Sequence, residues 1–207
     1  MSIDIFGADD WMNYGWFSTE DAKKSQIIPT DMIKYLNEPC PFISRQLVKE
    51  THFLFYLPSE LSGISLTINS MRRLLNDQNL LRFYSPIGGW FACHDFACFS
   101  DIGGWRLLFA GPLPNSQGLT YKKQKRLLRE GEYTVPFTRT VVAMIILKAK
   151  KSARILSENE WGRSAESYDN GLRIRVGVFD KGAICLSSRW SGRGYDDTGI
   201  FAEKKFD

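Results

Sequence analysis

Cys40 and His52 are the first two residues whose types could do chemistry together. A thiolate becomes a nucleophile when a nearby base lowers its pKa or takes its proton. Cys40 stands between Pro39 and Pro41, which would fix its backbone, and His52 lies on the next element. Such a pair would make a Cys–His hydrolase or transferase, although no signature of a known cysteine enzyme accompanies it. The plainer alternative has Cys40 as a small buried hydrophobe and His52 as a hydrogen-bonded strand residue.

Cys93, His94 and Cys98 are the second cluster. Zinc takes four ligands, commonly as two close pairs. Only three stand here, a fourth would have to be Cys40, His52 or Cys185, and there is no CxxC pair. The expectation is therefore no metal and no cofactor. The third cluster is late in the chain: Trp161, Arg163, Tyr168, Arg189, Trp190, Arg193 and Tyr195. Flat aromatics and guanidinium groups beside Gly-rich turns are the usual binding hot-spot types. They would clamp an anionic or planar ligand or anchor a protein, or else the two tryptophans pack the core. Asp196 and Asp197 are adjacent loop carboxylates and read as a solvated turn or, failing that, a cation ligand. There is no Walker A, GxGxxG, HExxH or GxSxG motif.

Composition narrows the classes further. The 207 residues are 43% hydrophobic and 24% charged, with 14 Phe, 8 Tyr and 6 Trp. That is a globular and aromatic-rich chain, not a disordered one. The longest apolar run, 141–147, is far shorter than the ~18 residues of a membrane span. Four cysteines are too sparse for a disulfide scaffold. No basic segment followed by an apolar stretch marks a secretory signal, so a cytoplasmic location, or delivery without such a signal, is expected. The net charge of +4 is uneven. Residues 1–60 hold 9 acidic and 5 basic side chains, whereas 121–154 hold 10 basic and 2 acidic. The basic stretch would attract nucleic acid or another anionic surface, or serve only as a solvated helix face. Its aromatic and basic residues are not interleaved as in single-strand readers, so nucleic acid ranks last among the partners.

The elements that must position these residues follow from periodicity. Residues 1–27 read as an aromatic tail that docks through Trp11, Tyr14 and Trp16, followed by a polar linker over 18–27. Residues 28–207 read as a single α+β domain. Pro29 opens a short helix with Met32, Ile33 and Leu36 on one stripe, and two prolines end it. Residues 51–57 read as a buried strand, and 64–68 and 80–84 as short strands. A helix is expected from Asn69 or Ser70 through Leu75, and a loop-rich segment with two GGW triplets over 85–105. Another strand covers 105–110. Thr120 caps a helix to about Arg129 that turns Leu127 and Leu128 inward, and Gly131 ends it. Pro136 opens a second, mostly apolar helix to about Lys151. Residues 172–179 alternate as a half-buried strand, 180–182 turn, 183–190 return, and 199–206 form a last strand. An antiparallel sheet with two central helices is the expected architecture.

Two resemblances add to this. Residues 28–42, 48–58 and 66–69 read Ile28-Pro29…Leu36-Asn37-Glu38-Pro39-Cys40-Pro41-Phe42, Val48-Lys49-Glu50-Thr51-His52-Phe53-Leu54…Leu57-Pro58 and Leu66-Thr67-Ile68-Asn69. They resemble a family of proteins of environmental chlamydiae with the pattern IPxxIxxxLNxPCPF, KVxETHLLxLIP and PLTLN. The likeness covers 28–69 well and the rest thinly, and 85–105 departs from it. That family occurs in large paralogous sets in intracellular bacteria, which implies a host–microbe or biological-conflict role.

The second likeness lies in the order of pieces over 119–206. These are the helix 119–129, Val135-Pro136-Phe137-Thr138, Trp161-Gly162-Arg163-Ser164, the hairpin 176–182 and Gly199-Ile200-Phe201. Together they resemble the end of C-type-lectin-like domains of the formylglycine-generating-enzyme kind. That likeness implies a ligand face on the loops before the last strand. It does not imply the enzymatic activity, since only Cys185 stands where those enzymes use a cysteine pair. The functional expectation is a non-enzymatic binding module that recognises a protein or small ligand through the late aromatic and arginine residues.

Overall fold

The computed structural model describes residues 5–12, 15, 19–78, 82–84, 89–151, 160–179 and 183–206. The expected turn at 180–182, Tyr14, Trp16 and part of the 80–84 strand lie outside them. The elements in order are β1 (Ile5–Phe6), α1 (Ala8–Trp11), α2 (Thr19–Ser25), α3 (Thr30–Tyr35), α4 (Val48–Thr51), β2 (His52–Leu57), β3 (Glu60–Leu61), β4 (Ile64–Ser65), α5 (Ile68–Gln78) and β5 (Phe83–Tyr84). They continue with a 3-10 turn (Trp90–Cys93), α6 (Asp95–Cys98), β6 (Gly104–Phe109), α7 (Tyr121–Lys125), β7 (Tyr133–Thr134) and α8 (Thr138–Lys151). The last third is β8 (Trp161–Asp169), β9 (Leu172–Phe179), β10 (Ala183–Trp190), β11 (Thr198–Ile200) and β12 (Glu203–Lys204).

The class is α+β with antiparallel-rich sheets. Among the described residues the strands divide between two five-stranded sheets, β1-β2-β6-β12-β7 and β11-β8-β9-β10-β5, and a small β3-β4 pair. Among the described residues, parallel pairing is confined to the edges, at β1 with β2, β5 with β10 and β11 with β8. Of the two expected central helices, α8 is the buried one. Val141 to Leu147 are all essentially inaccessible, because α8 packs on β2 of the first sheet, on β8 and β9 of the second, and on α5. A helix touched on every side needs an apolar surface all round, which its sequence supplies. Arg139 in its first turn is also buried, and burial pushes its pKa down to about 10. Its guanidinium donates to the carbonyls of Leu66 and Pro58.

The second helix, α7, is short. Its cap is as expected, with the Thr120 hydroxyl accepting from the Lys123 amide. Leu128 is buried, but Leu127 lies at the surface. The expected final strand divides in two. Residues 198–200 pair with β8 in the second sheet and 203–204 pair with β6 and β7 in the first, so 198–204 stitch the sheets together. Phe201 at the crossing is fully buried.

The first sheet starts inside the N-terminal segment. β1 pairs with β2 at Leu54 and Phe55, and the buried Trp11 donates its indole N–H to the Tyr56 carbonyl at 2.7 Å. The polar stretch expected as a linker contains α2. Its Asp21 is buried and accepts from the Tyr56 hydroxyl at 2.8 Å, the Ser59 amide at 3.1 Å and the Ser59 hydroxyl at 2.8 Å. An acid held by three donors is a docking point, which composition alone does not reveal.

Gly162 on β8 faces the Phe201 ring so closely that a Cβ would overlap it. Gly162→Ala should therefore cost about 1–3 kcal/mol of unfolding free energy through overpacking. Gly104→Ala, where a Cβ meets open space, should cost nothing measurable. Urea denaturation of both variants checks the contrast.

Candidate functional site

The late arginine–aromatic cluster is built on β8, β10 and the loop that follows β10. The β9–β10 pairing places Trp190 opposite Leu172 and Arg189 opposite Arg173. The chain then turns through 191–197 before β11. Arg163 on β8 lies beneath this turn, fully buried. One end of its guanidinium, Nη1, donates to the Leu119 carbonyl at 3.2 Å and to Gln124 Oε1 at 2.7 Å. The other end, Nη2, donates to the Trp190 carbonyl at 3.2 Å and to the Arg193 carbonyl at 2.9 Å. Burial lowers its pKa, yet a guanidinium stays charged at any ordinary pH. The planar fork suits this place, since four acceptors lie around it.

Backbone bonds complete the lock. Tyr195 O accepts from the amides of Gly118 at 2.9 Å and Thr198 at 3.0 Å. Ser191 O accepts from the Tyr121 amide at 2.9 Å, and the Ser191 amide donates to Gly171 O at 2.7 Å. Gly194 sits so close to Gly118 that a side chain there would strike its carbonyl. Arg175 on β9 pins the far end, donating to Asp197 at 2.8 Å and to the Thr198 hydroxyl at 2.8 Å while its guanidinium covers the Trp161 indole at 4.1 Å. Desolvation works against the Asp197 carboxylate, but the bonds from Thr198 and Arg175 outweigh it and lower its pKa. Asp197 is thus half of an ion pair and not a freely solvated carboxylate.

The seven residues of the cluster therefore do not share one surface. Trp161 is 8% exposed and Arg163 not at all. Both are interior braces and not ligand contacts. Tyr168 packs edge-on against Trp90 at 4.6 Å and His94 at 4.7 Å, which ties β8 to the 3-10 turn. Arg189, Trp190 and Arg193 are exposed, with Trp190 at 50%. The guanidiniums of Arg189 and Arg193 stand 5.0 and 5.4 Å from the Tyr195 ring centre, and that of Arg163 stands 5.7 Å from it. The Trp190 indole lies over Gly171 and Gly192, where a Cβ would press on it.

The Cys40–His52 pair does not form a catalytic dyad. His52 is buried, and both ring nitrogens are engaged. The Tyr133 hydroxyl lies 2.9 Å from Nε2, and the Thr51 hydroxyl 2.8 Å from Nδ1. Burial pushes the imidazole pKa down to about 4, so the ring is neutral near pH 7, with neither nitrogen left for a thiol. Cys40 is buried among Phe109, Leu128 and Tyr133, and its Sγ accepts from the Phe42 amide at 3.4 Å. A nucleophile needs an accessible thiolate, and this environment makes Cys40 a packing residue.

The Cys93, His94 and Cys98 side chains go separate ways. Cys93 Sγ donates to the Trp90 carbonyl, Asn69 Nδ2 donates to Cys98 Sγ, and His94 stacks on Phe96. Among the described residues no three His, Cys, Asp or Glu side chains converge as metal ligands.

Sequence reading missed Gln124 and Arg175. The signal for Gln124 was present, as an uncharged residue in the run Lys122-Lys123-Gln124-Lys125. It is fully buried and donates to Ser116 O at 2.8 Å and Thr198 O at 2.9 Å. Arg175 sits in an alternating strand, where a charged residue normally faces solvent. No family model matches the chain, and no curated protein or solved structure shows significant similarity to it.

Proposed function

We propose that the protein is a non-enzymatic binding module whose recognition surface is Arg189, Trp190, Arg193 and Tyr195. One observation carries the reading. The loop bearing these residues is held from below by a buried arginine that contacts two of its carbonyls, while a half-exposed tryptophan and two arginines point outward. A surface ordered before binding loses little conformational entropy on association. Trp, Tyr and Arg are the types that dominate binding energy at protein interfaces.

None of these four residues lines the clefts beside α7 and beside the β8–β9 turn, which favours a protein partner over a small ligand. Two outward guanidiniums favour a partner that is acidic around an apolar or planar centre. The resemblance of residues 28–69 to the chlamydial family is the support for reading this binding as part of a host–microbe or biological-conflict role. The reading rests on the loop's own geometry and needs no lectin-like fold.

The basic stretch 121–154 is less suited to nucleic acid than its charge implies. Arg139 is buried, and Lys148 donates to Ala110 O at 2.8 Å. Its exposed cations among the described side chains are confined to α7 and the turn after it.

The test is quantitative capture from host lysate with wild-type protein, Trp190→Ala and Arg193→Glu. A partner retained by the wild type and lost by at least about tenfold in both variants supports the surface. Equal retention by all three removes it.

A further inference from the structure

A cleft of about 900 Å³ opens beside the proposed recognition surface, between α7, the turn leading to β7, and strands β8 and β9. Five cations line it, namely Lys122, Lys125, Arg126, Arg173 and Lys205, against one lining carboxylate, Glu130. One neighbouring carboxylate outside the lining is already engaged. Glu132 meets Arg129 at 3.1 Å and Lys204 at 3.6 Å. Among the described residues, none of the five lining cations makes an ion pair within 4 Å.

The chemistry of that lining is specific in kind. Like charges around a concave, low-dielectric wall focus a positive potential and raise the local concentration of anions. Arg173 is already oriented, with its Nη1 donating to the Ala165 carbonyl at 2.5 Å and its guanidinium lying 4.4 Å from the Tyr121 ring centre. Planar guanidiniums bind oxyanions through two parallel hydrogen bonds, and ammonium groups add point charges. The volume falls within the ~300–1,000 Å³ of small-ligand sites. Five unpaired cations in that space ask for an occupant with several negative charges packed into a small molecule.

We propose that this cleft binds a small, multiply phosphorylated group, with Arg126 and Arg173 as the bidentate contacts and Lys122, Lys125 and Lys205 as the surrounding charges. Such a group could be free in solution or belong to a lipid headgroup. The site is separate from the Arg189–Trp190–Arg193 surface, and its occupancy does not depend on that surface having a partner.

The test titrates inorganic tripolyphosphate into the full chain by calorimetry. Three proteins are compared: wild type, the double variant Lys125→Glu with Lys205→Glu, and Lys23→Glu, an exposed position on α2 away from the cleft. Thermal unfolding confirms that each is folded. The expected result is binding by wild type and Lys23→Glu that weakens with added salt, and a loss of about tenfold or more in the double variant. Phosphatidylcholine vesicles with and without phosphatidylinositol bisphosphate form a second arm. Co-sedimentation that needs the phosphorylated lipid and the two lysines assigns the headgroup source, and tripolyphosphate binding without it assigns the free one. Absence of tripolyphosphate binding overturns the proposal. So does equal binding by the double variant, or tighter binding of a poly-glutamate peptide than of tripolyphosphate.

Discussion

Arg163→Ala is expected to lower the unfolding free energy by about 3–5 kcal/mol, the range for breaking a buried charged network. The substitution leaves four acceptors, at Leu119, Gln124, Trp190 and Arg193, without their shared donor. Each unsatisfied buried carbonyl costs about 1–3 kcal/mol unless water reaches it. Relaxation of the loop recovers part of that, which keeps the total below the sum. Arg163→Lys should be nearly as damaging, because one ammonium on a flexible stem cannot span acceptors on both sides of a planar fork. The damage should also be local in character. Amides bonded to loop carbonyls, those of Gly118, Tyr121 and Thr198, should lose hydrogen-exchange protection beyond what the global loss explains. Chemical denaturation gives the first quantity and exchange mass spectrometry the second. An Arg163→Ala protein as stable as wild type would mean that the turn holds itself.

The second large effect is acid sensitivity centred on His52. Burial holds its folded pKa down at about 4, against an ordinary value of 6.5. The hydroxyl chain explains why the neutral ring is tolerated. Tyr35 lies 3.1 Å from Tyr133, Tyr133 lies 2.9 Å from Nε2, and Nδ1 lies 2.8 Å from Thr51, whose hydroxyl reaches the Leu47 and Val48 carbonyls at 3.3 Å. One direction satisfies every partner, with Tyr133 donating to Nε2 and the Nδ1 proton donated to Thr51.

A folded pKa below the unfolded one means that the unfolded chain binds more protons between pH 6.5 and 4. Stability contributed by the neutral ring is therefore full above pH 6.5 and is lost as pH falls towards 4. The loss approaches 1.4 kcal/mol per pH unit inside that window and totals about 3 kcal/mol. Glu203 is also buried and Glu166 half-buried, and desolvation raises both of their pKa values, so the measured curve includes them. His52→Gln removes the titrating group and isolates its share. The slope of unfolding free energy against pH should be steeper in wild type than in His52→Gln between pH 6.5 and 4, and the same above pH 7. Equal slopes throughout would show that His52 titrates normally.

Local signals in the sequence were sound where a single element decides its own fate. The alternation in Leu172–Phe179 and Ala183–Trp190 gave both strands and their ends. Thr120 caps as its type demands, and the all-round apolar run of α8 marked the most enclosed helix. The site was only partly legible. Arg189, Trp190, Arg193 and Tyr195 surround one turn, so their nearness in sequence foretold their nearness in space.

What sequence did not reveal depends on distant partners. Arg163 is interior because Leu119, Gln124 and the turn after β10 converge on it. Asp21 is interior because Tyr56 and Ser59 do the same. A charged residue whose acceptors come from elsewhere in the chain looks like any surface residue when read alone. Cys40 and His52 illustrate the reverse. They lie in one buried region, but the histidine's partners are Thr51 and Tyr133, and Tyr133 is 81 residues away. The cations of the cleft were likewise divided between a helix read as a solvated face, an alternating strand and the chain end.

The proposed recognition surface is centred on Trp190, at the start of the locked turn after β10. Site-specific photo-crosslinking tests it most directly. A photoreactive phenylalanine analogue is placed at position 190 or at the exposed position 34 of α3, in otherwise wild-type chains, and each is illuminated in host lysate. One dominant adduct is expected from position 190, absent from position 34 and competed away by excess unlabelled wild type but not by Arg193→Glu. The same adducts from both positions, or none from position 190, would contradict it.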